Sequence, residues 1–297
     1  MIEQKNKLNF SNIVKLLRIH HYIKNIFIFV PAFFALKLTD YEVLISTFSA
    51  FILFSIVASS VYILNDYFDI EEDRRHPKKQ YRPLASGAIS KFEAIFLMAV
   101  LLILGSILMT FLPIKVSLVI LIYILLNVAY TLHLKNVAII DILIIAIGFV
   151  LRLFVGALVS GVNLSMWIVI MTFLLSLFIA LAKRRDDVII FMNTGNALRK
   201  VINGYNMQFL DVSMAIMASV VIVVYTIYTT SLDVIERVHS EYLYLTTFFV
   251  IVGIMRFLQL TFVLNQSGSP TNIILKDKFI MTTLAFWILS YSWILYY

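Results

Sequence analysis

The stretch VLISTFSAFILFSIVASSVYILNDYFDIEEDRRHPKKQYRPLASG, residues 43–87, changes solvent partway along. Val43 to Leu64 carries no charge and has the length of a helix that crosses the hydrocarbon core of a bilayer. From Asn65 the chain turns polar at once and runs through acids, bases and two prolines. Such a join requires lipid on one side and water on the other.

The rest of the chain agrees. Of 297 residues, 61% are hydrophobic and only 14% are charged, and the mean hydropathy is +0.94. A soluble domain is about 25% charged, and one of this size could not hide so much apolar surface. Spans of suitable length lie near 22–38, 43–64, 92–112, 115–133, 137–160, 165–182, 211–232, 241–263 and 278–297. The expected fold is therefore all-α, a polytopic membrane protein of nine transmembrane helices forming one domain over residues 1–297. Residues 1–21 read as an interfacial segment rather than a signal peptide, since Phe10, Ile13, Val14 and Leu17 form an amphipathic stripe.

The net charge of +7 follows the membrane and is no nucleic-acid signature. With the N-terminus inside, nineteen of the 24 Lys and Arg fall on the cytoplasmic face and only Lys37, Lys115 and Arg237 outside. That is the positive-inside pattern of a multi-pass plasma-membrane protein. It places two long polar loops, 65–91 and 183–209, on the cytoplasmic side. The chain has no cysteine, which excludes disulfides, thiolate metal sites and cysteine nucleophiles. Its five histidines form no metal-binding pair.

On a helix continuing past Leu64, Asn65, Asp66, Asp69 and Asp73 share an arc of about 100°, while Glu71 and Glu72 point elsewhere. Three carboxylates crowded on one face need a cation among them. Mg²⁺ suits them, because it takes few carboxylates and completes its shell with phosphate oxygens. A solvated helix end neutralised by the basic run Arg74–Lys79 is the plainer alternative, but the abutting lipid-buried helix makes idle acids costly. Beyond Pro77, Lys78, Lys79 and Arg82 supply cations for a polyanionic substrate.

Asn65-Asp66-x-x-Asp69-x-x-x-Asp73 resembles the first aspartate-rich motif of the UbiA superfamily of intramembrane prenyltransferases. His76-Pro77-x-Lys79-x-x-Arg82-Pro83-Leu84-Ala85-Ser86-Gly87 is similar to the decaprenyl-phosphate phosphoribosyltransferase branch. Arg18-x-x-x-Tyr22-x-Lys24-Asn25, Tyr130-x-x-x-Leu134-Lys135, Asp141, Leu151-Arg152 and Ala182-Lys183-Arg184-Arg185 follow the same branch in order, with Tyr22 standing where the branch usually has Trp. The resemblance spans about residues 15–210 and implies a UbiA-like bundle and a transferase. It implies Mg²⁺ on Asn65, Asp66, Asp69 and Asp73, with Asp66, Asp69 and Lys24 catalytic. It further implies substrate contacts from Asn25, Asn65, Asp73, His76, Lys79, Arg82, Tyr130, Lys135, Asp141, Arg152, Lys183 and Arg184. The partners it implies are phosphoribosyl pyrophosphate and a polyprenyl phosphate in the bilayer, with room for a homo-oligomer.

Several of these residues have plainer readings. Lys24 and Lys135 also suit snorkelling helix ends, Tyr130 an aromatic belt, and Lys183–Arg185 a topological anchor. Asp141 and Arg152 share one face of a span, and whether they touch substrate or brace the bundle is left open. Where aromatic prenyltransferases of the superfamily carry a second Asp-x-x-x-Asp, this chain reads Lys183-Arg184-Arg185-Asp186-Asp187. More cations and fewer paired acids favour a donor with more phosphate, hence phosphoribosyl transfer over prenyl transfer to an aromatic ring. A transporter is the third reading, and it fits poorly because these charges cluster at inner helix ends rather than at the midplane.

Overall fold

The structure, a computed structural model, describes residues 9–77, 79–195, 200–266, 273 and 276–296. Lys5, Lys7, Lys78 and Arg199, counted above among the inner cations, lie outside the described residues, as does the start of the 1–21 segment. The described chain is helical and packs as two compact units, residues 1–165 and 166–297.

In the first unit the amphipathic helix α1 (Phe10–Leu17) leads into a 3₁₀ segment, Ile19–Phe29, and the short α2 (Val30–Phe34). Helix α3 (Tyr41–Phe68) is followed by α4 (Ile70–Arg75), α5 (Lys91–Met109), α6 (Ile114–Leu132) and α7 (Ile140–Ser160). In the second unit α8 (Met166–Thr194), α9 (Met207–Thr230), α10 (Leu232–Val238), α11 (Thr247–Phe262) and α12 (Lys278–Tyr296) follow.

Eight of the described helical stretches are long and apolar enough to span a membrane, against the nine expected. The difference lies at 22–38. Its apolar residues form eleven residues of 3₁₀ helix and one short α-helix rather than one long α-helix. Runs of 3₁₀ beyond three or four residues are uncommon, and this one is held from outside, by α7. Gly156 of α7 meets the Ile28 backbone so closely that a Cβ built there would stand 2.0 Å from the Ile28 carbonyl oxygen. Arg152, one turn earlier, donates Nε–H to Asn25 Oδ1 (2.8 Å), while Asn25 donates its amide to Ser55 Oγ of α3 (2.8 Å). Tyr22 adds a hydroxyl bond to Ser59 (2.8 Å). Tertiary contacts, not local propensity, choose the 3₁₀ form.

Helix α3 is the axis of this unit, packed against α5, α6, α7 and the 3₁₀ segment. Its Ala50, Leu53, Phe54, Val57 and Ala58 are buried with Ile28, Ile120, Tyr123 and Val155. A second cluster of Leu16, Ile63, Ile70, Leu84, Ile89 and Ala94 lies at the polar end of α3. It seats the loop after α4, so that 79–90 is a packed structure. Gly87 closes the turn at φ +77°, where a side chain would be strained.

Boundaries moved where charge masked helix. The segment 183–209 begins as helix, because α8 runs on to Thr194 through Lys183–Asp187. Hydropathy registers only the apolar part of such a helix, while the good helix formers Lys183, Arg184 and Arg185 continue its backbone bonding past the apolar run.

Arg185 anchors this end of α8 within the second unit. It donates to Asp211 Oδ1 of α9 (2.7 Å), the Thr261 carbonyl of α11 (2.9 Å) and Asn265 Oδ1 (3.2 Å). Its guanidinium also lies over the Phe262 ring, 5.3 Å from the centroid. The Asp211 side chain is 39% exposed, so the ion pair itself contributes little. The buried carbonyl and the stem packing contribute more. Arg185→Ala is expected to destabilise the second unit by about 2 kcal/mol, read as a lower midpoint of tryptophan-fluorescence melting in detergent. A change below about 0.5 kcal/mol, the range of an ordinary surface substitution, would show that the anchor is idle. Elsewhere in this unit Trp287 donates to the Tyr225 hydroxyl (2.8 Å), Tyr225 pairs with Thr246 (2.7 Å), and Tyr228 pairs with Tyr291 (2.8 Å).

Candidate active site

The acidic face forms at the junction of α3 and α4. Although α3 ends at Phe68, the Asp69 N–H donates to the Asn65 carbonyl (3.0 Å) and the Asp73 N–H to that of Asp69 (2.8 Å). The i to i+4 spacing therefore carries through the break, and with it the helical phase. Asp66, Asp69 and Asp73 are buried, at 2%, 6% and 3% exposure, while Glu71 is exposed and pairs with Arg74 at the surface (2.8 Å).

Three cations interleave with these acids. Arg82 Nη1 bridges Asp66 Oδ1 (3.0 Å) and Asp73 Oδ2 (2.6 Å). Arg18 reaches the same Asp66 oxygen, and Lys135 reaches Asp69. Among the described residues no three of His, Cys, Asp and Glu gather as a metal site would hold them. The cation expected among the acids is thus supplied, in this structure, by the protein's own side chains. Burial raises the Asp73 carboxyl above its ordinary range despite the opposing Arg82. Burial likewise lowers Arg82, with Arg18 adding to the effect and the two aspartates opposing it.

Each cation is positioned by local structure. Arg82 projects from a turn in which Ser86 N–H returns to its carbonyl (2.8 Å) and Arg74 Nε–H ties α4 to the Ala85 carbonyl (3.1 Å). His76 is buried, and its Nδ1 accepts the Lys79 N–H (3.3 Å), which shapes the same turn. Lys135 sits in the 3₁₀ turn Leu134–Asn136, just after Tyr130 at the end of α6. Arg18 joins α1 to the 3₁₀ segment with φ +52°, a left-handed backbone that non-glycine residues adopt only when held there. Its guanidinium lies over the Tyr62 ring, 5.2 Å from the centroid. The sequence pattern by itself assigns Arg18 no role in the site. Only the tertiary fold reveals its reach to an aspartate 48 residues away.

Arg152 is 4% exposed, and the groups it bonds among the described residues, on Asn25, Gly148 and Tyr123, are uncharged. Besides Asn25, it donates to the Gly148 carbonyl (2.6 Å) and more weakly to the Tyr123 hydroxyl (3.4 Å). The rings of Phe54, Tyr123 and Phe149 surround its guanidinium at 4.8–5.4 Å. This arrangement braces α7 against the 3₁₀ segment that carries Lys24 and Asn25. Lys24 is half-buried, and Asp141 is fully buried in the first turn of α7.

Lys183 and Arg184 belong to the second unit. Lys183 is exposed. Arg184 is 1% exposed, with Nη1 on Asp187 Oδ2 at 2.5 Å, so a large part of its charge is already engaged.

Glu71→Gln tests the separation of the two helix faces. It should leave turnover within about twofold of the parent, because the group removed belongs to a surface pair of small worth. Loss comparable to that of an Asp69 variant would overturn the assignment of the acidic face.

The sequence model of the UbiA prenyltransferase family matches residues 26–261. A decaprenyl-phosphate phosphoribosyltransferase of Mycolicibacterium smegmatis is 28% identical over 288 residues, covering 94% of this chain and 90% of that protein. One from Mycobacterium tuberculosis is 30% identical over 227 residues, 75% of each chain. Among solved structures, a UbiA homolog from Archaeoglobus fulgidus bound to DMAPP and Mg²⁺ aligns with a TM-score of 0.68. At 16% identity, over 94% of this chain and 98% of that one, it speaks to the fold.

Proposed function

Because the chain belongs to the UbiA prenyltransferase family and is a multi-pass membrane transferase, we propose that it moves the 5-phosphoribosyl group of phosphoribosyl pyrophosphate onto a polyprenyl phosphate. The observation that carries this reading is the similarity, over nine-tenths of the chain, to a relative named for that activity. The interleaved acids and cations of the first unit support it, since they suit a metal-chelated polyanion.

Although the three aspartates do not gather as a ready-made metal site, the donor chemistry suits Mg²⁺, which needs only one or two carboxylates and completes its shell with phosphate oxygens; the ligands on offer are hard oxygens, with no sulfur among them. Asp66 and Asp69 would hold the ion, with Asn65 and Asp73 assisting. When bound, it neutralises charge on the leaving diphosphate. Arg82, Lys135 and Lys79 hold phosphate oxygens, and Lys24 faces the reacting centre from the 3₁₀ segment. An oxygen of the acceptor phosphate forms a bond to the anomeric carbon as the bond to pyrophosphate breaks. That oxygen is already an anion, so no strong general base is needed.

The test uses purified protein with radiolabelled phosphoribosyl pyrophosphate, a polyprenyl phosphate and Mg²⁺, followed by organic extraction. Label should enter the lipid phase and be lost with a chelator. Transfer of label from a prenyl pyrophosphate to an aromatic acceptor, with none from phosphoribosyl pyrophosphate, would replace this reading by the other chemistry of the family.

The acidic face is proposed to open to the cytoplasm. A single cysteine at exposed Gln80 should react with an impermeant reagent only after permeabilisation, and one at Asp233 in intact cells. The reverse pattern would invert the orientation.

A further inference from the structure

Asp66, Asp69 and Asp73 are matched one for one by Arg18, Arg82 and Lys135. Counted over these direct pairs, acid and base charges balance, with Lys79 acting on Asp73 besides. A divalent cation arriving alone must enter among three held cations. A polyanion arriving alone must approach three buried carboxylates. Arriving together they resolve both conflicts, because carboxylates released by the side-chain cations can take the metal while those cations turn to the polyanion. Each then strengthens the other's binding, and linkage makes the effect reciprocal.

The three cations are not equivalent in this exchange. Arg82 bridges two carboxylates through one nitrogen and keeps Asp73 if it leaves Asp66. Lys135 serves Asp69 alone, from a turn fixed at the end of α6. Arg18 competes for the oxygen of the most contested carboxylate, Asp66, which is 2% exposed. It does so from a left-handed junction at the end of α1, with its side chain 14% exposed and its guanidinium resting on Tyr62. It can leave Asp66 without uncoupling a helix from the core.

We propose that Arg18 makes metal binding depend on the polyanion: it occupies the Asp66 oxygen that a metal requires, and turns to a phosphate oxygen when metal and polyanion bind together. Nothing in the family match assigns this role. It rests on the reading that the acidic face holds a divalent metal, but not on which donor carries the phosphates, so inorganic pyrophosphate serves as the probe.

The experiment is equilibrium dialysis of the full-length chain in detergent, counting Mn²⁺ retained on the protein with and without pyrophosphate. Coupling between such sites commonly amounts to 5–150-fold. In the parent, pyrophosphate should raise Mn²⁺ affinity by more than about tenfold. Arg18→Gln should bind Mn²⁺ alone about tenfold tighter than the parent and lose most of the response to pyrophosphate. Lys15→Gln removes one exposed charge from the same helix and should behave as the parent. If Arg18→Gln fails to fold, Arg18→Met keeps the stem against Tyr62 and takes its place, with the same expectation. Strong coupling in the parent that survives unchanged in the Arg18 variant overturns the exchange while leaving the metal reading intact. Tighter Mn²⁺ binding in Lys15→Gln as well reduces the effect to net charge and overturns it too. No Mn²⁺ retained by the parent under either condition overturns the metal reading itself, and the proposal with it.

Discussion

Asp66→Asn should lower turnover by about a thousandfold while the protein still folds in detergent. The asparagine is isosteric and its carbonyl can still accept from Arg18 and Arg82, so the packing at the end of α3 has no reason to collapse. What disappears is a formal charge, 2% exposed, on which two guanidiniums converge and where a metal would be held. Losing one electrostatic stabiliser of a developing charge commonly costs two to three decades, roughly 3–4 kcal/mol. The folding cost is smaller, about 1–2 kcal/mol, because Arg82 keeps Asp73 and Arg18 retains some solvent. Asp69→Asn should match it in turnover, with Lys135 left to find water. Initial rates under saturating donor, alongside melting followed by circular dichroism, separate the two effects. Turnover within tenfold of the parent in either variant would remove that carboxylate from the reaction.

Gly156→Ala is expected to be the most damaging small change in the first unit. The added methyl would stand 2.0, 2.8 and 3.1 Å from the carbonyl oxygen, carbonyl carbon and Cα of Ile28. All three are backbone atoms, so no rotamer relieves the clash, and the whole 3₁₀ segment must move off α7. Overpacking typically costs 1–3 kcal/mol where side chains can adjust; here about 3 kcal/mol or more is expected. Because the displaced segment carries Lys24 and Asn25, activity should fall further than stability alone explains. Gly105→Ala is the comparison: its methyl would meet only Val57 Cγ2, at 3.1 Å, a side-chain atom that can give way. If Gly156→Ala melts with the parent, the close approach does not hold the two elements together.

The acidic face was legible because its evidence is local. Hydropathy marks α3, the 100° periodicity separates Asp66, Asp69 and Asp73 from Glu71, and the unbroken bonds to Asn65 and Asp69 preserve that phase. The cations were harder to read. Arg18 meets Asp66 across 48 residues and Lys135 meets Asp69 across 66, distances at which no sequence period operates. Arg152 was recognisable as a costly charge within a span. Its aromatic surroundings come from α3, α6 and its own helix, and its fixed partner Asn25 from a segment whose 3₁₀ form no propensity announces. The difference at 22–38 has the same origin: composition shows that a segment is apolar, whereas its helical pitch is set by what it packs against.

The indole hydrogen bond from Trp287 to Tyr225 has an optical consequence. The chain's three tryptophans, Trp167, Trp287 and Trp293, all lie in residues 166–297. Their emission therefore reports directly on the second unit, and the half of the chain that holds the aspartates contains no indole. A fluorescence melt can stay flat through the loss of the acidic site and shift when the surroundings of these indoles open, the Tyr225 hydroxyl that holds Trp287 among them. Emission and circular dichroism recorded on one sample would show whether the two halves melt at one temperature or at two.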